Sequence, residues 1–208
     1  MSHNSNMDRQ SAGDRLKALG FNLDGAVNFT WIVLHHSGSG DGSKTYDWPG
    51  IKTYHKSYRY AGDIITKDRF ESLRKEGKRQ APGELEAPWV DVGYHAGIEL
   101  VNDAYKVSVG RSLRLIGSHV AGLNAQAIGI CHVGNFDVAT PPMALWDVSI
   151  LLTVDLMRWF SVPLVRVIGH REAYAHLGQP KKKECPGIKW DLDQYRNIIR
   201  GRLEAAVA

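Results

Sequence analysis

The sequence predicts an α/β fold: a single domain in which helices flank a central mixed β-sheet. Two unbroken apolar runs, TWIVLHH at residues 30–36 and AIGICHV at residues 127–133, are typical of strands that helices bury on both faces. Helical and strand patterns alternate irregularly along the rest of the chain, which favours a mixed sheet over a regular βα repeat. At 208 residues, the chain is long enough for one well-formed core.

The remaining elements follow from periodicity and from breaker residues. Helical patterns are predicted at residues 14–20, 50–58, 68–76, 143–160 and 192–206. Further strands are predicted at residues 92–100, 105–109 and 165–170, and the SGSGDGS stretch at residues 37–43 is predicted to be a loop. We therefore divide the chain into residues 1–29, a disordered tail over 1–12 with a short helix, and a main domain over residues 30–208. Residues 59–88, which hold one charged helix and a loop, are its least typical part.

Composition excludes several classes of protein. Apolar residues make up 43% of the chain and charged residues 23%, as in soluble globular proteins, and no apolar run approaches the roughly 18 residues of a membrane helix. The polar N-terminus has no signal-peptide pattern, so the protein is expected in the cytoplasm until it is released, either by lysis or by another export route. A net charge of +4 is too mild and too scattered to predict nucleic-acid binding. Two cysteines form no disulfide framework, although a single bridge stays open.

Histidine and cysteine side chains end the predicted strands or follow them closely. His35 and His36 end one strand, His170 ends another, and Cys185 lies in a loop fifteen positions later. Two imidazoles and a thiolate at about 2.0–2.3 Å form a zinc ligand set whose fourth position is open to water, as in catalytic zinc sites. His35 and His36 point to opposite faces of a strand, so only one of them is expected to bind, and alternation does not say which.

Three further residues flank this predicted site. Pro186 favours an extended backbone at Cys185, which brings Lys183, two positions earlier, to the same side of the chain as the thiol. A cation there has little value for packing but suits the stabilisation of an oxyanion. Glu172 lies two residues after His170 and is a rival general base; without an HExxH pattern, a structural role is the favoured interpretation.

Taken together, these motifs resemble the type-2 N-acetylmuramoyl-L-alanine amidases, a family that includes bacteriophage endolysins and animal peptidoglycan-recognition proteins. The matching stretches occur in the order of the family and extend over most of residues 30–195. They are IVLHHS (32–37), DVGYHAGIEL (91–100), IGSHVAGLNAQAIGICHVGNFD (116–137), IGHREAY (168–174) and KECPG (183–187).

The resemblance implies a zinc amidase domain over residues 30–208 that cleaves peptidoglycan between N-acetylmuramic acid and L-alanine. It implies one Zn²⁺ per chain, held by His35, His170 and Cys185. The substrate would be a muropeptide, with no nucleic-acid partner and no membrane span, and no oligomeric state is implied.

The resemblance also implies the roles of four further residues. Tyr94 and Lys183 correspond to the catalytic tyrosine and lysine of the family, whereas His119 and Asn124 fall in a loop that borders its peptide-binding groove. The stretch at residues 59–88 departs from the small phage enzymes as an insertion just before Tyr94. A non-catalytic peptidoglycan-binding module, or a regulatory protein that contacts a partner through the insertion, is the alternative function. Loss of Cys185 or Tyr94 would indicate the binding module, and both residues are present.

Overall fold

The computed structural model describes residues 3–39 and 45–205. Within these residues, the helices are α1 (His3–Ala18), α2 (Trp48–His55), α3 (Lys67–Lys75), α4 (Met143–Phe160), α5 (His170–His176) and α6 (Leu192–Ala205), with a short 3₁₀ helix at Leu164–Arg166. The strands are β1 (Trp31–His36), β2 (Tyr58–Tyr60), β3 (Asp63–Ile65), β4 (Leu85–Glu86), β5 (Ala96–Val101), β6 (Ala104–Val109), β7 (Ala127–His132) and β8 (Val167–Gly169).

A five-stranded sheet in the order β6-β5-β7-β1-β8 forms the centre of the fold. Strands β5, β7, β1 and β8 are parallel to one another, and β6, the hairpin partner of β5, is antiparallel to it. The sheet is therefore mixed, with helices on both faces, and the predicted fold class is confirmed. None of the helices in the described ranges has the length and apolar character of a membrane span.

Strand β1 lies in the middle of the sheet and separates two apolar layers. Ile32 and Leu34 pack into the main core with α4 and α6, and α1 lies on the outer side of α4. Trp31 and Val33 point to the other face and pack with α5. Coverage on both faces explains why this strand reads as an unbroken apolar run. It also means that each polar residue at the end of β1 faces one of two separate layers, the one with α4 and α6 or the one with α5.

Helix α1 is much longer than the short helix predicted from residue 14. It begins at His3, so the expected disordered tail is wrong for residues 3–12. Tertiary contacts stabilise this helix, whose own apolar pattern is weak. Leu16 is fully buried, and the Arg15 guanidinium donates to the Asp155 carboxylate of α4 at 2.6 and 3.0 Å. Gly13 adds a close approach, because a Cβ atom there would lie 2.5 Å from the Trp159 ring.

The stretch at residues 59–88 contains more structure than its sequence predicts. The predicted charged helix is α3, but β2, β3 and β4 form a small antiparallel sheet that was not predicted. Strands of two or three residues carry no usable periodicity, and this sheet depends on packing against α3 and on a buried arginine. Arg59 is 1% exposed, pairs with Glu86 and donates to the Tyr54 carbonyl oxygen.

Parts of three sequence predictions extend beyond the described residues. These are residues 1–2 of the predicted 1–12 tail, residues 40–43 of the predicted 37–43 loop and residue 206 of the last predicted helix. Both cysteines are free thiols, so the single disulfide that the sequence left open is absent.

Candidate metal centre and active site

The structure distinguishes His35 from His36. His35 follows Val33 on the face that α5 covers and is 1% exposed. His36 points to the opposite face, where its Nδ1 accepts a hydrogen bond from the Phe136 N–H at 3.1 Å. Only His35 therefore faces the elements that carry the other predicted ligands.

Three donor side chains meet beside the carboxyl end of β1. His35 ends that strand, His170 begins α5 directly after β8, and Cys185 comes from the following loop. The nitrogen and sulfur ligand atoms of the three residues lie within 4.8 Å of one another, and His35 Nδ1 is 3.6 Å from Cys185 Sγ. The parallel pairing of β1 with β8 produces this convergence, because it brings the ends of two strands to one edge of the sheet.

Arg171 holds the Cys185 loop in place. Its backbone N–H donates to the Cys185 carbonyl oxygen at 2.7 Å, and its guanidinium donates to the carbonyl oxygens of Glu184, Gly187 and Trp190. Four hydrogen bonds from one residue thus fix the backbone on both sides of the thiol. The Cys185–Pro186 peptide bond within this loop is cis.

Tyr94 lies beside His35. Its ring centroid lies 5.1 Å from that of His35, and its hydroxyl contacts the thiol of Cys131 on β7. The Arg111 backbone N–H donates to the Tyr94 carbonyl oxygen at 2.8 Å, and the Arg111 guanidinium donates to the carbonyl oxygens of Asp91 and Val92. His95 points away into the core, against Phe29, so the tyrosine of the Tyr94–His95 pair faces the site.

Lys183 lies on the exposed rim of the cluster. Its positive charge acts on both His170 and Cys185 and lowers the pKa of each. An exposed cation whose charge reaches the donor atoms suits the catalytic role that the sequence predicts, and that role stays a prediction.

Burial sets the protonation of the three donors. It lowers the pKa of His170 to about 4 and takes the pKa of His35 well below its ordinary value, so both imidazoles are neutral at pH 7. Burial also raises the pKa of the Cys185 thiol to about 12, and a hydrogen bond from the His36 backbone and the Lys183 charge oppose that rise. A bound cation would favour the thiolate strongly.

This donor set fits zinc. Neutral imidazoles and a thiolate suit zinc, whereas magnesium and calcium require oxygen ligands. His35, His170 and Cys185 would hold the ion. Each comes from an element fixed by other contacts.

The structure places the two predicted groove residues near the cluster, where both ring nitrogens of His119 and the side-chain oxygen of Asn124 have partners within the protein. His119 Nδ1 lies 3.0 Å from His35 Nε2, and its Nε2 lies 3.1 Å from the Ala127 carbonyl oxygen. Asn124 Oδ1 accepts the backbone N–H groups of His119 and Val120 at 2.8 and 2.7 Å. Their predicted contact with substrate remains untested.

Glu172 is engaged in the scaffold. Its carboxylate accepts the Gly169 N–H at 3.0 Å, at the start of α5, and pairs with the Arg196 guanidinium at 2.9 Å. These contacts support the structural interpretation over that of a general base.

Sequence reasoning did not single out Arg111, Arg171 or Cys131 as parts of the site. Arg171 lies in the IGHREAY stretch, next to a predicted ligand, which was the available signal. Arg111 is twenty residues from the Asp91 carbonyl that it holds, and no local pattern reveals such a contact.

The fold and the site define a mixed α/β protein with a candidate zinc centre at the edge of its sheet. The model of the N-acetylmuramoyl-L-alanine amidase family matches residues 25–188, and the chain therefore belongs to this family. The resemblance that the motifs carry is thereby confirmed.

Individual relatives span phage and animal proteins. Peptidoglycan-recognition protein LB of Drosophila melanogaster is 30% identical over 134 residues, which cover 64% of this chain and 52% of that protein. The endolysin of Escherichia phage T7 is 40% identical over 126 residues, covering 56% of this chain and 75% of the endolysin. The chain thus spans about half the length of the fly protein.

Two solved structures share the fold. The endolysin N-acetylmuramoyl-L-alanine amidase LysCS from Clostridium intestinale URNW superposes with a TM-score of 0.54 at 21% identity, covering 84% of this chain and 87% of that one. Bumblebee PGRP-SA gives a TM-score of 0.53 at 20% identity, with 82% of each chain covered. At this identity, the two structures support the fold alone.

Proposed function

We propose that this chain is a zinc-dependent amidase that cleaves peptidoglycan between the lactyl carbonyl of N-acetylmuramic acid and the amine of L-alanine. The observation that carries the proposal is the convergence of His35, His170 and Cys185 within 4.8 Å, in a chain that belongs to the amidase family. The phage endolysin and the peptidoglycan-recognition protein among its relatives support a cell-wall substrate.

Cleavage of an amide requires a nucleophile and stabilisation of the tetrahedral oxyanion. When bound, zinc supplies Lewis acidity: it polarises a carbonyl group and makes water nucleophilic near pH 7. The chain itself supplies Lys183, whose ammonium would stabilise the developing negative charge by roughly 3 kcal/mol. Lys183 is exposed, so a substrate can reach its ammonium.

Tyr94 would orient the reacting groups from its position beside His35. Burial raises the pKa of its phenol well above the ordinary value, so the hydroxyl stays protonated at neutral pH and can donate a hydrogen bond. We expect Tyr94→Phe to retain zinc and fold and to lower turnover, because only the hydroxyl is removed. Unchanged turnover would contradict this role.

The reaction is tested by mass spectrometry of digested, purified peptidoglycan. We expect new L-alanine amines and free lactyl carboxylates, without new reducing sugar ends. New reducing ends without new amines would indicate a glycosidase and refute the proposal. Tight binding to peptidoglycan with no cleavage would support the alternative, a non-catalytic binding module.

The metal site is tested by metal analysis of the purified protein, with one zinc per chain expected. Cys185→Ala should lose this zinc. Cys131→Ala is the matched control, because Cys131 is also a buried free thiol near the site but does not belong to the three-donor cluster. A Cys185→Ala protein with full zinc content and activity would refute the ligand assignment.

A further inference from the structure

A chain of hydrogen bonds runs from the backbone of β7 to the candidate ligand His35. His119 Nε2 lies 3.1 Å from the Ala127 carbonyl oxygen, which can only accept, so this nitrogen carries the hydrogen. In the neutral ring, His119 Nδ1 is then an acceptor, and His35 Nε2, 3.0 Å away, must donate to it. The free lone pair of His35 is consequently on Nδ1, the atom that faces Cys185 Sγ.

The residues around His119 pack closely against its ring. Gly117 and Gly129 border the imidazole so closely that a Cβ atom on either would lie 2.4 or 2.7 Å from ring carbons. Neither glycine has the positive φ at which a side chain is strained, so the approaching ring accounts for the absence of a side chain. Asn124 fixes the backbone at His119 from a third side.

We propose that His119 is a positioning residue that sets the tautomer and ring orientation of His35, rather than a residue that contacts substrate. Both of its ring nitrogens are used within the protein, which leaves neither for a peptide or sugar group. A ligating histidine commonly donates its second N–H to such a partner, and removal of the partner typically weakens metal binding 10- to 100-fold. This inference rests on the proposed zinc site.

The test is the zinc dissociation constant, measured by competition with a chelator. His119→Phe keeps a planar ring but removes both hydrogen bonds, and we expect zinc to bind about 10- to 100-fold more weakly. His119→Asn retains an acceptor in the position of Nδ1 and should recover part of the affinity. His176→Phe, at an exposed histidine outside the cluster, is the matched control and should bind zinc as the wild type does.

A second variant keeps His119 and disturbs only its position. Gly129→Ala places a methyl group against the ring, and we expect weaker zinc binding with the imidazole still present. The absorption spectrum of the cobalt-substituted protein gives a readout independent of activity, and its bands should shift in His119→Phe and Gly129→Ala. Circular dichroism identifies any variant that fails to fold, so the affinities are compared among folded proteins.

The outcomes separate this inference from the proposed function. Unchanged zinc affinity and cobalt spectrum in His119→Phe, with a raised KM for peptidoglycan, would assign His119 to substrate binding and overturn the inference alone. A wild-type protein that binds no zinc would overturn the proposed function and the inference with it. Weaker zinc binding with a lower kcat at saturating substrate, and little change in KM, is the result that supports positioning.

Discussion

Acid should destabilise this protein through His95, and the size of the effect follows from its surroundings. The ring is completely buried, packs edge-on against Phe29 and makes two hydrogen bonds. Nδ1 accepts the Gly129 N–H at 3.1 Å, and Nε2 donates to the Leu115 carbonyl oxygen at 3.0 Å. Protonation of Nδ1 would break the first bond and bury a charge. Burial accordingly lowers the pKa of His95 to about 4.

The sign and the magnitude are set by the difference from the unfolded chain, where the pKa is about 6.5. Between these two values, the unfolded state binds a proton that the native state does not, so stability falls as the pH falls from about 6.5 to 4. A pKa difference of about 2.5 units corresponds to a loss of about 2.5 kcal/mol between pH 7.5 and pH 4.5. This is a large part of the stability of an average domain.

The assay is urea unfolding of the wild type and of His95→Gln at these two pH values, with equal metal content. Glutamine has no charged form, so the variant should start less stable at pH 7.5 and should lose about 2.5 kcal/mol less on acidification. Other buried histidines contribute equally to both proteins and cancel in the comparison. His176→Gln controls for the loss of an exposed imidazole. Equal losses in wild type and His95→Gln would refute the reasoning.

Three further predictions concern the site. Lys183→Ala should retain zinc and the fold but lower kcat by roughly two orders of magnitude. Lys182→Ala, at an exposed neighbour, should leave kcat unchanged. Equal kcat values in the two variants would exclude Lys183 from the mechanism. Glu172→Gln should lower the free energy of unfolding by about 1 kcal/mol in urea titrations, with turnover within about threefold of wild type. A decrease in turnover of about 100-fold or more would instead indicate that Glu172 is a general base. In Arg171→Lys, the lysine cannot donate to all three carbonyl oxygens that the guanidinium contacts, so chelator competition should show zinc affinity reduced about tenfold. An unchanged affinity would mean that the Cys185 loop keeps its conformation without these hydrogen bonds.

The central sheet was predictable because its signals are local. Strand β1 is buried on both faces and therefore reads as an apolar run, and its terminal histidines mark the edge where a site forms. Alternation also divides His35 from His36 correctly. It does not say which of them faces α5, because that depends on how distant helices cover the sheet.

Long-range contacts determine the parts that were not predicted. Helix α1 has few apolar residues, and it is held through Leu16 and the Arg15–Asp155 pair, whose partners are 140 positions apart. The β2–β3–β4 sheet depends similarly on Arg59, which is buried between the rings of Tyr54 and Trp89. Asp155 and Trp89 lie too far along the chain from Arg15 and Arg59 for a local sequence pattern to reveal either contact.

In the proposed mechanism, residues fixed by the central sheet would hold the metal, and an exposed side chain would meet the charge that develops during the reaction. His35 belongs to the central strand, and its backbone carbonyl oxygen is 2.8 Å from Nδ1 of the buried His132, so this candidate ligand is held through its backbone as well as through its ring. Lys183 lies on an exposed segment of the loop that Arg171 fixes only further along, from Glu184 onwards. Metal ligands need a fixed geometry because the ion stays bound throughout the reaction, whereas the oxyanion exists only transiently. In the proposed mechanism, the position of Lys183 two residues before Cys185 would keep its charge near the reacting atoms, where only an attraction that strengthens in the transition state would raise turnover.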